Sequence, residues 1–168
     1  MSGRPPRRAS VRAQLPLLDR LIDNEPEREH DLPQSSAEAM VALRASVRRD
    51  LEMLLNSRRR FHSWPVNYKE LAVSPLGYGI PDCTAGSFNE QKERDGLRLE
   101  IEETIKRFEP RFATVTVTLA DADGKLGGTL RLRVEALMHA DPAPENVSFD
   151  TVVDSMTPGV MVITREQD

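Results

Sequence analysis

Hydrophobic residues in the middle of the chain switch from a helical to an extended rhythm within a few positions. Leu97, Ile101, Ile105 and Phe108 recur at steps of four, four and three, and Glu100, Glu102, Glu103, Lys106 and Arg107 fill the positions between them. That spacing predicts an amphipathic helix with one apolar stripe, beginning near Gln91. Pro110 ends it, because the proline ring disfavours helical geometry at Glu109 and pushes that residue toward an extended conformation. From 113 to 119 the run Ala-Thr-Val-Thr-Val-Thr-Leu alternates strictly, which predicts a strand. If the alternation extends back to the hinge, Glu109 and Arg111 share the face of Ala113, Val115, Val117 and Leu119. Two opposite charges then continue an apolar row, either as a local ion pair that fixes the corner or as a docking site for a partner protein.

The same patterning places the other elements. Ser35 followed three residues later by Glu38 has the form of a capping box. Met40, Leu43, Val47, Leu51 and Leu54 make the stripe of a long helix through about Asn56, with Arg44, Arg48 and Arg49 largely off it. Arg58, Arg59 and Arg60 suit the negative end of its macrodipole. Phe61, Trp64 and Tyr68 follow, and aromatics in this position are expected to enter the core rather than to stack nucleic-acid bases. Gly77-Tyr78-Gly79 lacks the lysine of a phosphate loop and reads as turn chemistry. Beyond a turn at Asp121-Ala-Asp-Gly124, Leu130, Leu132, Val134 and Ala136 alternate with Arg131, Arg133 and Glu135. This second strand is expected to pair with the first as an antiparallel hairpin. Val147, Phe149, Thr151 and Val153 predict a third strand, and Val160 to Ile163 either a short edge strand or an adhesive tail.

The beginning of the chain has a different character. Arg4, Arg7, Arg8 and Arg12 occur among residues 1–13 without an acid, which predicts a solvated, flexible arm. Leu17, Leu18, Leu21 and Ile22 then form a short amphipathic turn, cut off by Asn24-Glu25-Pro26. A helix this short rarely persists alone, so its leucines need a surface, on their own domain or on another subunit. Residues 1–33 therefore read as a flexible arm with a docking peptide at about 15–22. Residues 34–168 read as one α+β domain, two main helices packed against a small antiparallel sheet.

Composition removes function classes. A net charge of −4 argues against a dedicated nucleic-acid binder. Cys83 is the only cysteine, so no disulfide can form within the chain, and a cytoplasmic location is expected. No apolar run approaches the roughly 20 residues needed to span a bilayer, so no direct membrane insertion is expected. His30, His62 and His139 are far apart and have no ligand partners at metal-binding spacing. Cys83 has no neighbouring histidine to activate it, and the acids of the central helix read as a solvated face. Neither a catalytic site, nor a metal, nor a cofactor is expected.

Four segments in order carry a resemblance. They are Leu17-Leu18-Asp19-Arg20-Leu21; Ser46 to Arg58, with Asp50-Leu51-Glu52 and Leu54-Leu55-Asn56-Ser57-Arg58; Tyr78-Gly79-Ile80-Pro81-Asp82; and Phe108-Glu109-Pro110-Arg111-Phe112. This set resembles the TssE family, baseplate subunits of type VI secretion systems similar to the small, lysozyme-like wedge proteins of contractile phage tails. Cys83 departs from the aliphatic residue expected after Pro81-Asp82, where it packs as a small hydrophobe. The resemblance implies a structural, non-enzymatic subunit, cytoplasmic and assembled on a membrane-docked baseplate. It implies a wedge shared with TssF and TssG, near TssK and the hub proteins, and a part in starting the first ring of the TssB–TssC sheath. It associates Glu109, Pro110 and Arg111 with sheath docking, and Leu17, Leu18, Asp19, Arg20 and Leu21 with wedge contacts. An extended sheath segment would then join an open sheet edge beside the hinge. Two alternatives differ in class. The same small fold resembles an anti-adaptor that shields a stress sigma factor, a regulatory binding module, and the lysozyme-like label suggests a muralytic enzyme, for which no turnover is expected.

Overall fold

Ser35 starts the long helix by the reciprocal capping its sequence predicts. Its hydroxyl accepts the Glu38 N–H at 3.2 Å, and the Glu38 carboxylate accepts the Ser35 N–H at 2.8 Å. The structure, a computed structural model, describes residues 17–22, 26–27, 35–59, 67–81, 90–120, 129–140, 143–154 and 160–165. In chain order these form α1 (Leu17–Leu21), α2 (Ser36–Asn56), two short 3-10 turns (Lys69–Val73 and Pro75–Gly77) and α3 (Gln91–Phe108). Four strands follow: β1 (Phe112–Leu119), β2 (Thr129–Met138), β3 (Glu145–Asp154) and β4 (Val160–Arg165).

The strands make an antiparallel meander in the order β1-β2-β3-β4. Val117 lies opposite Val134, Val134 opposite Phe149, and Thr151 opposite Val162, so one apolar face runs across the whole sheet. Against it α2 buries Leu43, Val47, Leu51, Leu54 and Leu55, and α3 buries Ile101 and Ile105, with Met40, Leu97 and Phe108 packed at the margin. Burying such side chains contributes on the order of 2 kcal/mol each. The result is the predicted α+β architecture, and Val160 to Ile163 belong to an edge strand. The buried band of α2 is wider than its aliphatic stripe, because Ala39 and Ser46 are also enclosed.

The long connection returns to α2 by a close approach. The Ile80 N–H donates to the Ser57 carbonyl at 3.0 Å, and the Arg59 N–H to the Ile80 carbonyl at 2.8 Å. Gly79 takes φ +102°, and a Cβ there would lie 2.4 Å from the Ser57 carbonyl oxygen. Turn chemistry thus explains this glycine. Tyr78 then packs edge-on against Phe108, with ring centroids 5.3 Å apart.

Three expectations change. The strand's alternation does not reach the hinge, because the register shifts between Phe112 and Thr114, leaving Ala113 exposed and Phe112 buried. A bulge resets the parity so that both Phe112 and Val115 enter the core. The hinge itself is a tight turn, closed by the Phe112 N–H donating to the Glu109 carbonyl at 3.3 Å, with Pro110 at its first central position. Tyr68 is 59% exposed and does not enter the core. Phe61, Trp64, Cys83 and the arm over residues 1–16 lie outside the described residues.

Candidate functional site

Glu109 caps the end of α3, its N–H donating to the Ile105 carbonyl at 2.8 Å. Its side chain turns inward and is buried, so the carboxylate depends on donors from the protein. Arg111 supplies them. Its backbone N–H reaches Oε1 at 3.3 Å, its Nε–H the same oxygen at 2.5 Å, and its Nη2 reaches Oε2. This fork-on-carboxylate geometry needs the two residues to be separated by the turn that Pro110 creates. The same Nη2 also donates across to α2, to Asp50 Oδ2 at 2.7 Å, and the remaining Nη1 donates to the Ser46 hydroxyl at 3.4 Å. Burial alone would lower the Arg111 pKa; hydrogen bonding to Glu109 and its charge, then Asp50, outweigh this and raise it.

Asp50 extends the network to the start of the chain. Its Oδ1 accepts Arg49 Nε–H at 3.2 Å and Nη2–H at 3.1 Å. Arg49 also holds Asp19 of α1 by both oxygens, at 2.8 and 3.3 Å. Those hydrogen bonds, with one from Ser46, hold the Asp19 carboxyl below the usual carboxylate range. Asp19, Arg49, Asp50, Arg111 and Glu109 therefore form an unbroken sequence of alternating charges joining α1, α2 and the hinge. Beside it opens a cleft of about 280 Å³, lined by Asp50, Leu54, Phe108, Glu109, Pro110 and Arg111.

The structure thus brings together two groups that lie far apart in sequence. Glu109 and Arg111 face each other and Asp50, while Pro110 is exposed at the turn. Asp19 points to α2; Arg20 is exposed, and Leu17, Leu18 and Leu21 are 70%, 60% and 72% exposed. Ser46, Arg49 and Asp50 were not singled out as site residues by pattern. Beyond their place in the Ser46 to Arg58 segment that carries the resemblance, their signal is position, since 46, 49 and 50 share a flank of α2 beside the stripe. Among the described residues, no group of three or more His, Cys, Asp or Glu side chains is placed to hold a metal ion. No described helix is long and apolar enough to cross a membrane.

The two sheet edges differ. On β1, the Val117 N–H donates to Glu102 at 3.0 Å and its carbonyl accepts Arg98 at 3.1 Å, so α3 side chains occupy the edge at its middle. A hydrogen bond from Lys106, with the Val117 N–H behind it, keeps the Glu102 carboxyl below its ordinary range. On β4, Asn56 accepts the Val160 N–H at 2.7 Å and donates to its carbonyl at 2.8 Å. Antiparallel alternation directs the main-chain groups of Val162 and Thr164 the same way as those of Val160. Among the described residues, nothing bonds to them there.

No curated protein matches the chain. A protein-family model does, over residues 41–143, which include most of α2, all of α3, the hinge, β1 and β2. It describes the baseplate wedge protein gp25, and the chain belongs to that family, structural components of phage-tail-like baseplates.

Proposed function

We propose that this baseplate wedge protein serves a contractile type VI secretion apparatus, joining the wedge to the first TssB–TssC sheath ring and helping sheath assembly to begin. The observation that carries the reading is the exposure of Leu17, Leu18, Leu21 and Ile22 on a helix that the domain holds through Asp19. An apolar ridge presented outward suits a subunit contact, and the reading assigns it to TssF and TssG, with TssK and the hub proteins nearby. Leu17, Leu18, Asp19, Arg20 and Leu21 are the proposed contact segment, and Glu109, Pro110 and Arg111 shape the surface next to it.

On the sheath side the proposal is strand addition. The β1 edge beside the hinge is occupied at Val117, whereas β4 offers the outward groups of Val162 and Thr164. The incoming sheath strand is therefore assigned to β4. Deleting residues 1–23 tests the wedge contact: the domain should stay folded and co-purify poorly with TssF and TssG. Unchanged yield would refute it. Val162→Pro tests the edge, since proline has no N–H to donate; a folded variant that still nucleates sheaths normally would refute strand addition at β4.

A further inference from the structure

The family resemblance gives α1 and the hinge separate partners, but the fold sets them side by side. Asp19 and Asp50 are one guanidinium apart, because Arg49 donates to both, and Asp50 passes the link to Arg111. Helix α1 buries no residue of its own, and a helix of five residues does not hold itself. Among the described residues, Arg49, with Ser46 beside it, holds Asp19 of α1 against α2. Helix α1 is thereby tied, through Arg49, to Asp50 on the rim of the cleft whose apolar floor is Leu54, Phe108 and Pro110.

Charge narrows the occupant. Three carboxylates, Asp19, Asp50 and Glu109, meet two guanidiniums, Arg49 and Arg111, so the cluster keeps one net negative charge. Glu109 is buried and already doubly engaged by Arg111. Asp50 is partly exposed on the cleft, and among the described residues its Oδ2 accepts a single donor. The position open to an incoming cation is therefore Asp50.

We propose that the α1 ridge and the hinge cleft form one docking surface for one partner segment, an amphipathic helix bearing a basic residue. Its aliphatic side chains cover Leu17, Leu18, Leu21 and Ile22, and its lysine or arginine lays its stem on Leu54, Phe108 and Pro110 to reach Asp50. Arg49 is a positioning residue that sets α1 in register with the cleft. This rests on the wedge reading, in which the segment belongs to the TssF–TssG complex.

The test uses the full chain and purified TssF–TssG. Leu18→Asp, Arg49→Met and Asp50→Asn should each weaken binding at least about tenfold, the step that 1.4 kcal/mol represents. Asp50→Asn should also flatten the salt dependence, and Asp50→Glu should recover both. In the chain alone, Asp19→Asn should shift the Arg111 Nε–H resonance through Arg49 and Asp50. An unmoved resonance, or Asp50→Asn binding like the parent while Leu18→Asp does not, would overturn the single surface and leave the wedge reading intact. A parent chain that fails to bind TssF–TssG removes the wedge reading and the proposed partner together. Tighter binding after deletion of residues 1–16 would make the chain's own arm the occupant. Self-association abolished by Leu18→Asp would make it a second copy, and either result overturns the proposal.

Discussion

Arg111→Met tests whether the hinge is held from inside. The substitution keeps most of the aliphatic stem and removes the head group, ending its side-chain bonds to both Glu109 oxygens and to Asp50. Glu109, 4% exposed, would retain the residue 111 backbone N–H at 3.3 Å. Breaking a buried pair in this way costs about 3–5 kcal/mol, since the orphaned charge has lost its compensation. Arg111 is 23% exposed at its side chain, so water can recover part of the loss and the lower bound of about 3 kcal/mol is expected. For a domain of this size that is a melting-temperature drop of roughly 6–12 °C. Urea titration of Arg111→Met and of the double variant Glu109→Leu/Arg111→Met supplies the decisive comparison. The double variant should be the more stable, because it buries no unpaired charge. A loss below about 1 kcal/mol in Arg111→Met, as for a surface pair, would refute the argument that this pair fixes the corner.

Four further outcomes follow from individual contacts. Asn56→Ala removes both bonds to Val160 and should cost about 1–3 kcal/mol, with faster amide exchange at Val160 while exchange at Val117 is unchanged. Gly79→Ala should cost at least about 2 kcal/mol in a urea melt, given the positive φ and the Cβ contact of 2.4 Å with Ser57. Glu102→Ala uncovers the Val117 N–H and should produce concentration-dependent self-association in size-exclusion chromatography. The folded Asp19 pKa lies below its unfolded value, so the Arg49 pairing contributes stability above about pH 4, and that contribution is lost as pH falls through the folded value. The methyl resonances of Leu18 should therefore report release of α1 on acidification, and Asp19→Asn should show α1 released at neutral pH as well.

The regular elements were legible because each follows from a local rule. The capping box set the start of α2, the steps of four and three gave α3, and strict alternation gave β2 and, from Val115 onward, β1 with the correct inward faces. Alternation misled at the hinge, since one residue added as a bulge between Phe112 and Thr114 breaks the parity, exposing Ala113 and burying Phe112. The charge cluster was only half legible. Glu109 and Arg111 are neighbours in sequence, but their link to Asp50 spans 61 residues from Arg111, and no periodicity encodes it. The docking of Asp19 on Arg49 is likewise a product of where α1 lands.

The same contacts make the two edges of the small sheet unequal. A strand edge is a general invitation to pairing unless something blocks it. Here each helix spends polar side chains on the edge nearest to it: Arg98 and Glu102 of α3 on Val117, and Asn56 of α2 on Val160. The first block falls at Val117, within β1. The second falls at the beginning of β4, so the outward groups that follow remain consecutive. The ion cluster is built from 46, 49 and 50, earlier along α2, whereas Asn56 is the last residue of the helix. On the proposed reading, α2 carries two tasks at different points along its length: Ser46, Arg49 and Asp50 keep the wedge contact in register with the hinge, and Asn56 at its end marks where a sheath strand must stop.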